Sequence, residues 1–422
     1  MEIQAETLAL LEWERLGEQV AGFAGSCLGA NLCRPLHLAP TLEEAQRRQA
    51  ETAELLALDG LTEGGLSFQG VTDHSTTVQL CSKGGCAGAE DLLQLADTLA
   101  AARRLRRQID DDELRPVTTA LLEGLRTLPE LEQQLRFAIE EGGRVADRAS
   151  PPLAGLRRQL QSQRQERQSR LQELMRRWAN QLQDSVIAQR HGRPVLAVKA
   201  GAAGSLQGQV HDSSASGSTL FVEPRSVLSI GNRLVDLESR IRDEEQRVLA
   251  ELSSSVADQQ EPLTVLNGVL LRLDLALARG RYGRWLGGSV PQLVEEPQAS
   301  FRLENLRHPL LVWQEKRAEG PKVVPISLEV SEELRVVAIT GPNTGGKTVT
   351  LKSVGLAALM ARAGMLLPCS GQPSLPWCAQ VLADIGDEQS LQQSLSTFSG
   401  HVKRIGRILG ALQQGPAPAL VL

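Results

Sequence analysis

Eight consecutive residues, Gly341-Pro342-Asn343-Thr344-Gly345-Gly346-Lys347-Thr348, have the types and spacing to hold a polyphosphate. Glycines let the backbone turn so that successive N–H groups converge on phosphate oxygens, at the positive end of the helix that follows. The Lys347 ammonium supplies a mobile charge for the β- and γ-phosphates, and the Thr348 hydroxyl is a ligand for the accompanying Mg²⁺. The flanks suit the motif. Leu334-Arg335-Val336-Val337-Ala338-Ile339-Thr340 reads as a buried strand leading in, and Val349, Leu351, Val354, Ala358 and Leu359 mark an apolar helix leading out. Strand, G-x-x-x-x-G-K-T and helix together imply a site for ATP and Mg²⁺.

A second constellation is electrostatic. From Arg157 to Arg193 the chain has nine arginines against Glu166, Glu173 and Asp184, a local charge of +6. Arg157, Arg158, Arg164, Arg167, Arg170, Arg176 and Arg177 fall on one predicted helix. They could follow a phosphate backbone with salt-sensitive, sequence-independent affinity. They could equally pair with an acidic partner helix bearing Asp236, Glu238, Asp243, Glu244 and Glu245, and both readings stay open. The whole chain carries −5, from 45 basic and 50 acidic residues, so any contact with nucleic acid must come from a local patch. Aromatics at 3% argue against a single-strand binder that works by base stacking. The six cysteines show no C-x-x-C spacing and have no paired histidines nearby, which reads as reduced thiols and not as a zinc site.

The elements that must position these groups can be read from periodicity. A length of 422 residues allows two to three domains. Residues 1–145 are expected to form the first part of a helical core, or lever. Thr41 is the N-cap and Glu44 the capping-box partner of one helix, and another helix covers Ala89–Gln108. Residues 146–260 are expected to form a coiled-coil arm. Its first helix runs from Pro151 to about Gln189 along Leu153, Leu156, Leu160, Leu171, Leu174, Trp178 and Leu182. Its second covers Arg233–Ser255 along Leu234, Leu237, Ile241, Val248 and Leu252. Between them, at about 191–225, Arg193–Val198 and Thr219–Val222 are strand-like and flank the turn Ser213–Ser218, which predicts a small β-rich tip. Residues 261–300 return to the core as helix, and 301–422 are the α/β part. The fold class is therefore mixed: a helical core with a coiled-coil arm and β-rich tip, then an incomplete α/β P-loop domain of the ABC type.

The glycine turn and its continuation, Gly341–Lys352, resemble the P-loop of the MutS family, and specifically its second branch (MutS-II). Asp147–Leu153, Val210–Pro224 and Asp384–Ser390 also resemble that branch, and the resemblance runs from about Thr7 to Leu422. It implies an ATP-binding, Mg²⁺-dependent homodimer whose arm serves as lever and clamp on branched or mismatched DNA, suppressing recombination. The family's amino-terminal mismatch-reading domain has no counterpart here, as is usual for the second branch. Ser396-Thr397-Phe398-Ser399-Gly400-His401 is similar to the family's Ser-Thr-Phe loop. The resemblance implies that Ser396 and Thr397 reach nucleotide held by the other subunit, whereas taken alone they read as a helix N-cap. Leu306-Arg307-His308-Pro309 resembles a stretch beside the nucleotide and makes His308 nucleotide-proximal, with Gln389 a further candidate. A lone histidine is otherwise a structural hydrogen-bonder.

The pattern departs from the family in one respect. The acidic Walker B pair expected after Ala417-Pro418-Ala419-Leu420-Val421-Leu422 does not follow, nor does the family's carboxy-terminal nuclease domain. Asp384, after the apolar Val381-Leu382-Ala383, is a weaker substitute. The expectation is ATP binding with poor hydrolysis. A second function for the same motifs is a ribosome-associated ATPase that splits stalled or collided ribosomes. An ABC-type chromosome-organising ATPase is disfavoured by the absence of a Leu-Ser-Gly-Gly signature. The longest apolar helical run, Gly355–Pro368, is short and broken by Arg362, and no signal peptide is recognised, so a cytoplasmic protein without a membrane partner is expected.

Overall fold

Apolar residues spaced three and four apart build the first third of the chain as helices. These are α1 (Glu2–Leu10), α2 (Trp13–Ala21), α3 (Cys27–Cys33), α4 (Leu42–Leu61), α5 (Ser75–Ser82), α6 (Ala89–Ile109), α7 (Pro116–Leu121) and α8 (Pro129–Ala138). A hairpin of β1 (Ile139–Glu140) and β2 (Arg144–Val145) leads to α9 (Pro151–Arg177), β3 (Leu182–Arg190), β4 (Arg193–Lys199), β5 (Gly208–Ser213), β6 (Thr219–Pro224) and α10 (Arg225–Ala257). Then come α11 (Gln260–Leu286), β7 (Gln292–Val294), β8 (Phe301–Leu306), α12 (Pro309–Lys316), β9 (Ile326–Val330) and α13 (Lys347–Arg362). The last elements are β10 (Ser370–Pro376), β11 (Gln380–Leu382), α14 (Ser394–Gln414) and β12 (Ala419–Val421). This computed structural model describes residues 2–295, 300–331, 333–341, 346–385 and 394–422, with the side chains of 2, 205 and 394–399 outside the description. One compact unit comprises Met1–Ser75, Asp97–Thr127 and Glu261–Leu422, and the other Thr76–Ala96 and Leu128–Gln260.

In the second unit α9 and α10 pair antiparallel, as the descending order of their ion pairs shows: Arg157 with Glu245, Arg164 with Glu238, Glu166 with Arg233. Leu153, Leu156, Leu171 and Leu174 of α9, and Leu234, Leu237, Ile241, Val248 and Leu252 of α10, are buried along the seam. The distal sheet has the order β3-β4-β6-β5, antiparallel throughout. Its core is Leu182, Leu196, Val198, Leu206 and Val222 with Leu171 and Leu174. Under it Glu223 is wholly buried, accepting from His211 Nε2 at 2.8 Å and paired with Arg193 at 3.3 Å. The helix predicted to continue to about Gln189 instead stops at Arg177, and Leu182 is a strand residue opposite Val198. The run Leu171, Leu174, Trp178, Leu182 keeps a helical spacing across that boundary by coincidence. Val186 and Ile187 favour strand, and cross-strand pairing decides the outcome.

In the first unit a sheet of order β7-β10-β8-β9 is antiparallel except for the parallel β7–β10 pair, and β11 pairs parallel with β12. Thr41 caps α4 as its sequence predicts, accepting from the Glu44 amide at 3.2 Å. The Glu44 carboxylate, however, turns to Arg47 and Arg48. At the centre lies α13, buried from Ser353 to Arg362. The carbonyls at a helix C-terminus have no intrahelical donor, and a buried end must find donors elsewhere. Here Gln49 Nε2 reaches the Ala361 carbonyl at 3.1 Å, the Ala39 amide reaches that of Arg362 at 3.2 Å, and Arg279 Nη1 reaches that of Ala363 at 2.7 Å. Arg362 itself donates to the Ala39 and Ala379 carbonyls, both at 3.0 Å, and lies over the Trp377 ring. Burial lowers the Arg279 guanidinium to about 10, and Glu51, only 2% exposed, stands 3.7 Å away as its counter-charge.

The run Leu334–Thr340 is not the buried strand its composition predicts. It has no strand assignment, and Leu334, Val336 and Val337 are 55%, 82% and 50% exposed. An apolar run becomes a strand only when a neighbour takes up its ladder hydrogen bonds, and among the described residues no strand pairs with this run. A cavity of about 380 Å³ opens where such packing was expected, lined by Leu334, Val337 and Ile339, by Leu351 and Val354 of α13, and by Leu420 near the end of the chain.

His308 occupies the N-cap position of α12, is 6% exposed, and leaves Nδ1 without a hydrogen bond among the described residues. Burial pushes its pKa down to about 4, with Glu12 opposing and Lys352 and Arg15 assisting.

Two outcomes follow for stability. Arg279→Met leaves Glu51 short of a buried partner and the Ala363 carbonyl without its donor, so urea unfolding should show a loss of about 3–5 kcal/mol; an unchanged midpoint would remove this arginine from the account. An unfolded histidine binds its proton near pH 6.5, whereas folded His308 stays neutral down to about 4. Its contribution is therefore fully present above about pH 6.5 and is lost as pH falls towards 4, by up to about 3 kcal/mol. His308→Gln should flatten that part of the pH dependence of the unfolding midpoint, and equal slopes in the two proteins would contradict it.

Candidate functional site at the head of α13

The structure describes both ends of the glycine turn, Gly341 and Gly346, while Pro342, Asn343, Thr344 and Gly345 lie outside the described residues. Gly341 has φ +147° and Gly346 φ +78°, a region L side chains enter at a cost, and at both positions a Cβ would meet nothing within 4 Å. Gly346 is the N-cap of α13, and its carbonyl accepts from the Thr350 amide at 2.9 Å and the Thr350 hydroxyl at 3.1 Å. The amides of Lys347, Thr348 and Val349 precede the first intrahelical bond, so no carbonyl of their own helix can satisfy them. Lys347 Nζ folds back to the Gly341 carbonyl at 2.9 Å and closes the turn from within. Thr348 is exposed beside it. Amides, ammonium and hydroxyl on one open turn form a donor set that fits a Mg²⁺-bound polyphosphate. The cavity lined by Leu334 and Val337 does not have Gly341, Gly346, Lys347 or Thr348 in its wall and is not this site.

The other candidates are placed as follows. His308 is a buried N-cap residue close enough to Glu12 and Lys352 to feel their charges, and Lys352 pairs with Glu12 at 3.1 Å. That ties α13 to the start of α2. Ser396 and Thr397 are helical residues in the first turn of α14, not its N-cap, and their side chains lie outside the description. Gln389 lies outside the described residues altogether. Asp384 follows β11 and is already engaged: its carboxylate takes His401 Nδ1 at 2.9 Å and Arg404 Nη1 at 3.0 Å, and its amide donates to the Leu422 carbonyl at 2.8 Å. Sequence reasoning did not single out this cluster. The signal was there, in His401 and Arg404 one helical turn apart on the same face.

On the arm, the alternative of pairing with an acidic helix accounts for part of the arginine set. Arg157 bridges Asp147 and Glu245, Arg164 meets Glu238 at 2.8 Å, and Arg170 meets Glu173 of its own helix at 2.6 Å. Arg158 donates to the Ala154 carbonyl at 3.2 Å. Arg167 is half-buried in the seam, and Arg176 and Arg177 are exposed; none of these three has an ion pair among the described residues. Of the exposed arginines of α9, Arg158 near its start and Arg176 and Arg177 at its end are thus without ion pairs among the described residues.

Comparison with known proteins places these features in a family. Residues 337–421, which contain the glycine turn, α13 and α14, match the family described as MutS domain V. The chain is 46% identical over 414 residues to endonuclease MutS2 of Synechocystis sp., covering 98% of this chain and 50% of that protein. It is 41% identical over 419 residues to endonuclease MutS2 of Symbiobacterium thermophilum, covering 99% and 51%. Against the protein of the same name from Pelotomaculum thermopropionicum it is 38% identical over 423 residues, covering 99% and 52%. The chain spans about half the length of the curated relatives it matches. With the glycine turn inside the domain V match and near-complete coverage of the chain by MutS2 proteins, the chain belongs to the MutS family, in its second branch.

Proposed function

We propose that this polypeptide binds Mg·ATP at Gly341–Thr348 and holds DNA along its arm, as part of a dimeric MutS-type machine that acts on branched recombination intermediates and restrains recombination. The head of α13 carries the nucleotide half of this reading: open left-handed glycines at both ends of the turn, with Lys347 closing it. Lys347 would exchange its Gly341 carbonyl for phosphate oxygens, and Thr348 would hold the Mg²⁺ that neutralises charge between them. Turnover is expected to be slow, because Asp384, the carboxylate nearest the end of β11, is held by His401 and Arg404. In the dimer, Ser396 and Thr397 at the head of α14 would contact nucleotide on the opposite subunit, with His308 and Gln389 as nearer neighbours of it. Arg176 and Arg177 carry the DNA half, since both are exposed, lack ion pairs among the described residues and stand at the end of α9 next to the distal sheet. A ribosome-bound role is the competing outcome of the same binding test.

Lys347→Ala should weaken Mg·ATP at least about tenfold, about 1.4 kcal/mol, by titration calorimetry. No detectable binding by the unmutated chain, or equal affinity in the variant, would falsify the assignment. Rapid Lys347-dependent turnover would leave the site intact and defeat the claim of slow hydrolysis. On a four-way junction, the Arg176→Ala, Arg177→Ala double variant should lower the slope of log affinity against log salt by about 1.8, for two phosphate contacts. Arg157→Ala should instead cost stability and leave the slope unchanged. If the double variant keeps the slope while the chain co-sediments with ribosomes, the DNA reading gives way to the ribosomal one.

A further inference from the structure

Of the six cysteines, four are buried and two, Cys27 and Cys86, are exposed. Each exposed thiol has a buried one close in sequence, and geometry separates the two pairs. Cys27 and Cys33 both lie in α3, six residues apart, so the rise of an α-helix puts them about 9 Å apart along the axis. That is beyond the span of a disulfide. Cys81 and Cys86 are five residues apart, but the chain reverses between them. The Gly85 amide donates to the Leu80 carbonyl at 3.0 Å and the Gly84 amide to that of Cys81 at 2.9 Å, a Schellman ending for α5 with Gly84 left-handed at φ +79°. The returning strand of this turn is pinned beside Cys81. The Ala87 amide donates to Ser253 Oγ of α10 at 2.9 Å, and the Cys86 thiol donates to the Ala87 carbonyl at 3.8 Å. Cys86, the residue before Ala87, is therefore brought back alongside the end of α5 that carries Cys81.

We infer that Cys81 and Cys86 form a redox-active pair which low-molecular-weight disulfides oxidise to an intramolecular disulfide across the Lys83–Gly85 turn. Accessibility sets the order of events. Exposed Cys86 attacks first: its thiolate bonds to one sulfur of oxidised glutathione, and the other half leaves as thiolate and takes up a proton. Cys81, 3% exposed and with its thiol raised by burial, is a poor first nucleophile but stands next to the mixed disulfide. It loses its proton to solvent, attacks the Cys86 sulfur, and expels the second glutathione. Two protein thiols are oxidised and one glutathione disulfide is reduced to two thiols.

The test uses the full chain, treated with oxidised glutathione, alkylated, denatured and cut with trypsin without reduction. The tryptic cut after Lys83 falls between the two sulfurs. The expected result is that the peptide ending at Lys83 stays joined to the one beginning at Gly84 until dithiothreitol is added. Cys86→Ser, a change at an exposed site, should abolish the link, and Cys81→Ser should leave glutathione trapped on Cys86. Three results would overturn the inference in the unmutated chain: a lasting glutathione adduct on Cys86, alkylation of both thiols after treatment, or a link from either cysteine to a different one. Should Cys81→Ser fail to fold, the unmutated chain and Cys86→Ser suffice to decide.

Discussion

A helix whose tail is buried must have the carbonyls of that tail held. The tail of α13 ends deep inside the first unit, where water cannot reach its carbonyls, and an unsatisfied buried carbonyl costs on the order of 1–3 kcal/mol. Gln49 from α4, Arg279 from α11 and the backbone at Ala39 provide the donors, and Arg362 returns the favour to Ala39 and Ala379. Lys352 adds a tie to Glu12 nearer the head. The helical body of the first unit and α13 are in this sense one structure. A displacement of α13 along its axis would break several of these bonds together.

How far this was legible in the sequence depends on the range of the interactions. Local chemistry was readable: the Thr41 cap, the helix over Ala89–Ile109, and the α13 helix following its glycine turn each answer to residues a few positions apart. Seam residues such as Leu237 and Val248 were found for the same reason, since their burial follows helical period. The donors to the tail of α13 come from more than 80 residues away in the case of Arg279 and more than 300 in the case of Gln49, and no pattern links them to it. The two misreadings share that cause. Leu182 and Leu334–Thr340 have compositions compatible with more than one state, and what they pair with, or fail to pair with, decides.

The candidate site was legible in outline because the ligand dictates the residue types. A polyphosphate needs converging amides, a cation and a hydroxyl, and each has a sequence signature. The site's limits were less legible. Asp384 ends an apolar strand, which suits a metal-binding carboxylate, but its charge is spent on His401 and Arg404. A carboxylate's position in sequence states its reach, and only its partners state its availability.

The arm shows how one set of charges can serve two ends. Between Leu156 and Leu171 the seam has no fully buried leucine; Leu160 is half-buried, and Gln163 and Arg167 occupy seam positions. The two helices are joined there by Arg164–Glu238 and Glu166–Arg233, exposed pairs of the kind worth less than about 1 kcal/mol and weakened by salt. Salt that screens Arg176 and Arg177 from a phosphate backbone therefore also loosens the middle of the arm that presents them. Measured affinity would then combine counterion release with a change in the stiffness of the arm, and only the first scales with the number of phosphates contacted. Replacing Gln163 and Arg167 by leucine would close the seam and separate the two contributions, leaving a salt dependence that reports on the phosphate contacts alone.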